Sequence, residues 1–295
     1  MTRVTLLDGG MGQELVHRSG AAPTPLWSTQ VMRDRPGLVG EVHADYVRAG
    51  AVVHTTNTYA IHRDRLLRAG IEEQFEALHG LALSEAEQAV PRTCRIAGSI
   101  GPLGASYRSD LSPPHPEAVR LYAEVARLLA PRVDLILFET VASLDQVRAV
   151  LEAGAEQDKP IWLALTVDDE NGSCLRSGEA LSEVLPMLSG RAEAVLANCS
   201  APEAMPAALD ILRHSNLRFG AYANGFTRIT KDFLKDAPTV DVLAARNDMG
   251  PGTYADHVMS WVESGATIVG GCCETGPAHI AEIARRLRAH GCEIS

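Results

Sequence analysis

The chain has no run approaching the roughly 18 apolar residues of a membrane span, so none of it reads as transmembrane. Its opening residues, Met1-Thr2-Arg3-Val4-Thr5-Leu6-Leu7-Asp8, lack the long apolar stretch of a secretory signal. No basic block stands out: 27 Lys and Arg face 37 Asp and Glu, for a net charge of −10. Nucleic acid and anionic membrane are therefore not expected as partners. Six cysteines without a secretory signal argue for free thiols in a reducing, cytoplasmic compartment. Aromatic residues are few, at 5 Phe, 3 Trp and 6 Tyr, which argues against a rich cage for a quaternary ammonium ligand. A glycine-rich nucleotide turn is missing too, because Gly9-Gly10-Met11-Gly12 does not have G-x-G-x-x-G spacing. Low-complexity segments and obvious linkers are absent.

The remainder is ordinary globular composition, 46% hydrophobic and 22% charged over 295 residues. Short β-like runs begin at Val4, Val52, Arg95, Leu135, Ile161, Ala194, Arg218 and Thr267. Helical patterns follow them, over 37–49, 74–89, 116–129, 143–157, 179–188, 202–214, 254–263 and 277–290. Strands alternating with helices predict a parallel sheet with crossover connections. Eight such units filling the chain predict an α/β fold of the (β/α)8 TIM-barrel type, as one domain over 1–295. The stretch 225–252, after the seventh strand, mixes charge and turn residues and is expected to be irregular.

The most informative motif is Gly270-Gly271-Cys272-Cys273-Glu274, at the end of the eighth β-like run. Neighbouring side chains on a strand point to opposite faces, so two adjacent cysteines can aim at one point only where the strand has ended. The two glycines are expected to allow that departure from β geometry, or the close approach of another group. Cys199 closes a second apolar run. Taken alone it reads as core filler. Taken together, Cys199, Cys272 and Cys273 form a soft ligand set suited to Zn²⁺, with one position left open. Cys94, Cys174 and Cys292 show no ligand-like spacing.

Other unusual polar residues also fall at strand C-termini, the face that carries activity in barrel enzymes. Asp8 ends the first strand, Asn57 and Tyr59 follow the second, and Glu139 ends the fourth. Asp8 and Glu139 can act as an acid–base pair on a glycosidic bond, or can bind an ammonium group. The backbone of Gly9 and Gly10 can hold a carboxylate. Together these suit an amino-acid zwitterion. Trp27 and Tyr59 can pack on a cation or simply line the rim.

These residues carry a resemblance to the homocysteine S-methyltransferase family, which includes enzymes using S-methylmethionine, betaine-dependent enzymes and the homocysteine domain of cobalamin-dependent methionine synthase. It runs from Leu7 to about Ile280. The matching motifs are Leu7-Asp8-Gly9-Gly10-Met11-Gly12, Pro25-Leu26-Trp27-Ser28, Thr56-Asn57-Thr58-Tyr59, Gly98-Ser99-Ile100-Gly101-Pro102, Phe138-Glu139-Thr140, Asn198-Cys199 and the glycine–cysteine motif with Pro277. The resemblance implies a (β/α)8 barrel, zinc on Cys199, Cys272 and Cys273, and homocysteine held by Asp8 and Glu139. Ala197, Glu274 and Gly276 depart from the family pattern beside the site.

The expected reaction moves a methyl group from an onium donor to homocysteine, giving methionine. S-methylmethionine or S-adenosylmethionine is placed ahead of betaine, and another sulfonium such as dimethylsulfoniopropionate stays open. Methyltetrahydrofolate is not expected, since no cobalamin domain is expected after the eighth strand. A non-catalytic zinc module is the rival. It would need a fourth ligand, for which His279 is the near candidate, on the predicted last helix. A metal-free glycosidase using Asp8 and Glu139 is the third reading.

Overall fold

The computed structural model describes residues 2–20, 24–227 and 245–295; residues 228–244 of the expected irregular stretch lie outside the described residues. Strands β1 (Arg3–Leu6), β2 (Val53–Thr55), β3 (Arg95–Ile100), β4 (Leu135–Val141), β5 (Ile161–Leu165), β6 (Ala194–Asn198), β7 (Arg218–Ala223) and β8 (Ile268–Gly271) pair in parallel. β8 returns to β1, and a parallel bridge between Leu7 and Val53 joins β1 to β2. The ring is closed and the fold is the expected (β/α)8 barrel.

Helices α1 (Met11–Ser19), α2 (Ser28–Asp34), α3 (Leu38–Ala49), α4 (Arg63–Arg68), α5 (Phe75–Ala89), α6 (His115–Leu129), α7 (Leu144–Gly154), α8 (Met205–Leu212), α9 (Pro251–Glu263) and α10 (Pro277–Ala289) cover the ring. Three of them, α1, α2 and α4, have no counterpart in the sequence reading. The helix expected over 179–188 is a 3-10 segment, Leu181–Met187, with Pro186 inside it. Proline lacks the N–H that a continued α-helix needs.

A short strand β9 (Glu293–Ile294), also unexpected, adds to β1. Glu293 and Ser295 donate to the carbonyls of Thr2 and Val4, and Val52 donates to Leu6. Alternate carbonyls of a strand face one side, so β9 extends the seam that β2 occupies higher on β1.

Inside the ring, alternate residues of successive strands fill the interior, among them Leu7, Val53, Ala97, Leu135, Leu137, Trp162, Ala164, Leu196 and Tyr222. Trp162 is fully buried, donates to Glu193 Oε1 at 3.1 Å, and has the guanidinium carbons of Arg95 and Arg218 at 5.1 and 5.6 Å from its ring centre. The residues of opposite parity pack outward against the helices. This filled interior is a floor, and it leaves the C-terminal mouth as the place for a cavity.

Four histidines, His43, His54, His62 and His79, are buried in this scaffold. Burial lowers their pKa values to about 3, 4, 3 and 4 respectively. The folded protein holds them neutral, while the unfolded chain protonates each near pH 6.5. Their contribution to stability is therefore complete above that pH and is lost as pH falls from about 6.5 toward 3, by at most about 1.4 kcal/mol per pH unit per histidine. Buried carboxyls whose pKa is raised, such as Asp8 and Glu139, act in the opposite sense. The histidines outnumber them, so the thermal midpoint should drop steeply between about pH 6.5 and 4. His79→Gln should flatten that slope by about one proton in a melting series. A midpoint that does not change across the range contradicts this account.

Candidate active site

A cavity of about 450 Å³ opens at the C-terminal ends of the strands. The residues expected to hold zinc or substrate, Asp8, Gly9, Gly10, Trp27, Asn57, Tyr59, Glu139, Cys199, Cys272 and Cys273, all line it. The volume suits a small-molecule site.

Asp8 is 2% exposed and Glu139 8%. Asp8 accepts from the Thr55 backbone N–H at 2.8 Å and from the Thr55 hydroxyl at 3.1 and 3.2 Å. Glu139 accepts from the Ser99 hydroxyl through Oε1 and from the Tyr222 phenol through Oε2, the latter at 2.9 Å. Burial raises both carboxyls, against the lowering effect of these hydrogen bonds. Burial, followed by the charge of Glu139, also raises the Tyr222 phenol, which stays protonated as a donor. No arginine or lysine among the described residues forms an ion pair with either acid. Two desolvated carboxylates with no basic side chain beside them are costly, and a cationic ligand group would offset that cost.

Cys199 and Cys272 are joined as a disulfide, with Cα atoms 5.8 Å apart, so the expectation of free thiols is corrected for this pair. Cys273 is free, and burial pushes its thiol up to about 12. Two sulfurs in bonding contact, with a third thiol in the same wall, fit a soft metal once the pair is reduced. His279 is no fourth ligand: its Nδ1 accepts from the Gly276 N–H at 3.2 Å and its Nε2 faces the Met249 carbonyl at 3.1 Å.

A different metal-capable cluster lies behind Asp8. Ligand atoms of Asp8, His43 and His54 all fall within 4.8 Å of one another. His54 Nε2 faces the Ala51 carbonyl at 3.3 Å, and both ring nitrogens of His43 are without a partner. Neither imidazole reaches the cavity wall. The sulfur set faces the ligand space, as a metal acting on a substrate must.

The glycines work differently from the sequence reading. Gly270 and Gly271 belong to regular β8, and neither has positive φ. A Cβ on Gly270 would strike the Leu7 side chain, and one on Gly271 the Thr275 hydroxyl. The close approach is therefore made by this chain's own residues. The Gly10 N–H is also committed, donating to the Thr275 carbonyl at 2.9 Å, and so is not available to a ligand carboxylate. Asn57 likewise turns its amide to the Ser28 carbonyl at 3.4 Å, anchoring the segment that carries Trp27.

Six described non-glycine residues have positive φ, and Trp27, Tyr107, Thr140, Cys199 and Glu274 lie around this mouth. Such strain gathers at functional sites. Thr140 is held by Asn198, which accepts from its N–H at 3.0 Å and donates to its hydroxyl at 3.2 Å, tying the ends of β4 and β6.

The aromatic wall is richer than the composition suggests. Trp27 and Tyr59 meet edge to face at 6.0 Å, and Tyr107, Tyr222 and Phe226 join them on the cavity surface. Trp27 Nε1 donates to Gln13 Oε1 at 3.0 Å, and Gln13 Nε2 donates to Glu274 Oε1 at 2.5 Å. Gln13, Arg65, Tyr107 and Phe226 escaped the sequence reading because their types are unremarkable and only the loop paths bring them here.

Comparison with known proteins points the same way. Residues 5–287 match the homocysteine S-methyltransferase family. The chain is 30% identical to homocysteine S-methyltransferase of Escherichia coli strain K12, over 96% of this chain and 95% of that one. It superposes on two crystal structures of the homocysteine methyltransferase MmuM from Escherichia coli, each covering 96% of both chains. The metallated form gives a TM-score of 0.80 at 29% identity, and the oxidized form 0.81 at 28%. The likeness spans the barrel and every strand end that builds the cavity, and the chain belongs to the homocysteine S-methyltransferase family of methyltransferases.

Proposed function

We propose that the chain, as one barrel domain over 1–295, methylates the thiol of L-homocysteine to give methionine, using zinc and a sulfonium donor. The observation that carries this reading is a single cavity holding three cysteines, an aromatic wall and two carboxylates with no arginine or lysine paired to them among the described residues. The similarity to a relative solved in a metallated form supports a metal there. Cys199, Cys272 and Cys273 would hold zinc, which supplies the positive charge that lets a thiol ionise at neutral pH.

The chain's own residues bind and orient. Asp8 and Glu139 take the homocysteine ammonium, and with it gain the cation they lack. Tyr222 and Ser99, by donating to Glu139, keep that carboxyl an acceptor toward the ligand. Trp27 and Tyr59 offer ring surface to the cationic donor. Alignment of donor and acceptor in a buried cavity lowers the barrier by removing orientational freedom. The acceptor sulfur's electron pair forms the new S–CH₃ bond, and the electrons of the broken bond stay on the donor's sulfur. It departs as a neutral thioether that needs no proton. A thioether is a weaker base than a tertiary amine, which keeps S-methylmethionine or S-adenosylmethionine ahead of betaine. The aromatic lining removes the compositional argument against betaine, and dimethylsulfoniopropionate stays within the same chemistry.

Three outcomes follow. After reduction, metal analysis should find one zinc per chain, and Cys199→Ala, Cys272→Ala and Cys273→Ala should each lose most of it with little change in melting temperature. Full retention in all three refutes the ligand set. Asp8→Asn and Glu139→Gln should keep zinc and raise the KM for homocysteine about tenfold or more. An unchanged KM with a lower kcat and a shifted pH profile points instead to proton transfer. A donor panel at fixed homocysteine should give methionine with sulfonium compounds. Formation of methionine with methyltetrahydrofolate alone rules out the onium reading.

A further inference from the structure

Three arginines lie on α4, and two of them are matched with acids. Arg63 binds Glu124 at 2.7 Å and Glu72 at 3.4 Å, and Arg68 binds Asp64 at 2.9 Å. Arg65 has no carboxylate partner among the described residues. Its Nη2 donates to the Pro102 carbonyl at 3.0 Å, and its Nε is buried without a hydrogen bond. It lines the cavity, with its guanidinium carbon 6.0 Å from the Tyr59 ring centre. Tyr59 in turn meets Trp27 at 6.0 Å and hydrogen-bonds Ser106 at 2.7 Å. The cavity wall thus runs from an aromatic pair to an unmatched guanidinium. A partly desolvated arginine without an acid has a bidentate fork to offer, and a carboxylate is its natural complement.

The position separates this charge from the homocysteine end. Asp8, Glu139 and the cysteines sit at the strand ends or on the turns directly after them. Arg65 stands instead on α4, the helix that follows the β2 loop, and its guanidinium binds the loop after β3. We propose that Arg65 anchors the carboxylate of the methyl donor, so that the chain selects an onium compound with an anionic tail, its cationic centre resting against Tyr59 and Trp27. The inference rests on the methyl-transfer reading and narrows its donor to zwitterions in which a short spacer separates cation from carboxylate. Arg65 is then a specificity residue that touches the donor and takes no part in bond making.

The test pairs two probes that differ only in the tail: S-methylmethionine and its carboxamide, which keeps the sulfonium and loses the carboxylate. Calorimetric titration of the zinc-loaded enzyme saturated with methionine, which fills the acceptor site with no thiol to methylate, should show S-methylmethionine binding at least about tenfold tighter than the carboxamide. Arg65→Gln should erase that ratio by weakening S-methylmethionine alone, and Arg65→Lys should restore part of it. In turnover, the variant's KM for S-methylmethionine should rise while its KM for homocysteine holds. Equal binding of the two probes by the parent enzyme, no binding of either, or equal loss of both in Arg65→Gln overturns the proposal; the last marks a residue that merely braces the Pro102 loop. A raised KM for homocysteine alone assigns Arg65 to the acceptor and also overturns it. Tail-selective binding without any methionine formed would leave Arg65 as the anchor and refute the methyl-transfer reading instead.

Discussion

The structure is organised around two carboxylates held out of water with no arginine or lysine paired to them among the described residues. Asp8 and Glu139 close the barrel mouth from opposite sides, and every hydrogen bond given to them comes from a neutral donor: the Thr55 amide and hydroxyl, Ser99 and Tyr222. Neutral donors keep a carboxylate oriented but leave its charge in place. A scaffold built for stability alone would pair such acids with arginine, as α4 does with Arg63 and Glu124. Leaving them so costs stability, which a cationic ligand group would return. The filled barrel interior makes this tolerable, because Trp162 and the residues around it supply burial that does not depend on the mouth.

The same trade appears in the backbone. Thr140 and Cys199 take left-handed conformations at the ends of β4 and β6, which a β-branched residue such as threonine rarely adopts. Asn198 holds both ends, since its side chain grips Thr140 while its own position precedes Cys199. The Asn-Cys pair is thus one device: the amide fixes the strained turn beside Glu139, and the next residue delivers a sulfur to the cavity.

How much of this was legible in the sequence depended on what each feature requires. The eight barrel strands were readable because a fully buried parallel strand needs an uninterrupted apolar run, as in Leu135–Phe138 or Ala194–Ala197. The residues lining the mouth were readable because they follow those runs directly. Helices α1, α2 and α4 were not, since at nine, seven and six residues they are too short to repeat an apolar period clearly. The β9 strand was hidden in two residues, Glu293–Ile294, whose pairing depends on the free carbonyls of β1. The glycine doublet was recognised as a place of close approach, but the approaching groups are Leu7 and Thr275, which no local pattern reveals. Arg65 was invisible for a simpler reason: a surface-type residue on a short helix gives no sign that its partner is missing.

The turn after β8 shows why the site has to be treated as one unit. Cys272 and Cys273 project into the cavity from it, and its Thr275 carbonyl receives the Gly10 amide and the Tyr46 phenol, the latter at 3.2 Å. Between them Glu274, itself in a left-handed conformation, grips Gln13, and Gln13 grips the indole of Trp27. Gly12 has no side chain because the Trp27 ring lies against it. A single turn therefore sets Cys272 and Cys273, the strand end that carries Asp8 and the aromatic wall of the cavity. Glu274 is the link between the cysteines and Trp27. A change in that turn cannot move the cysteines without also moving Trp27.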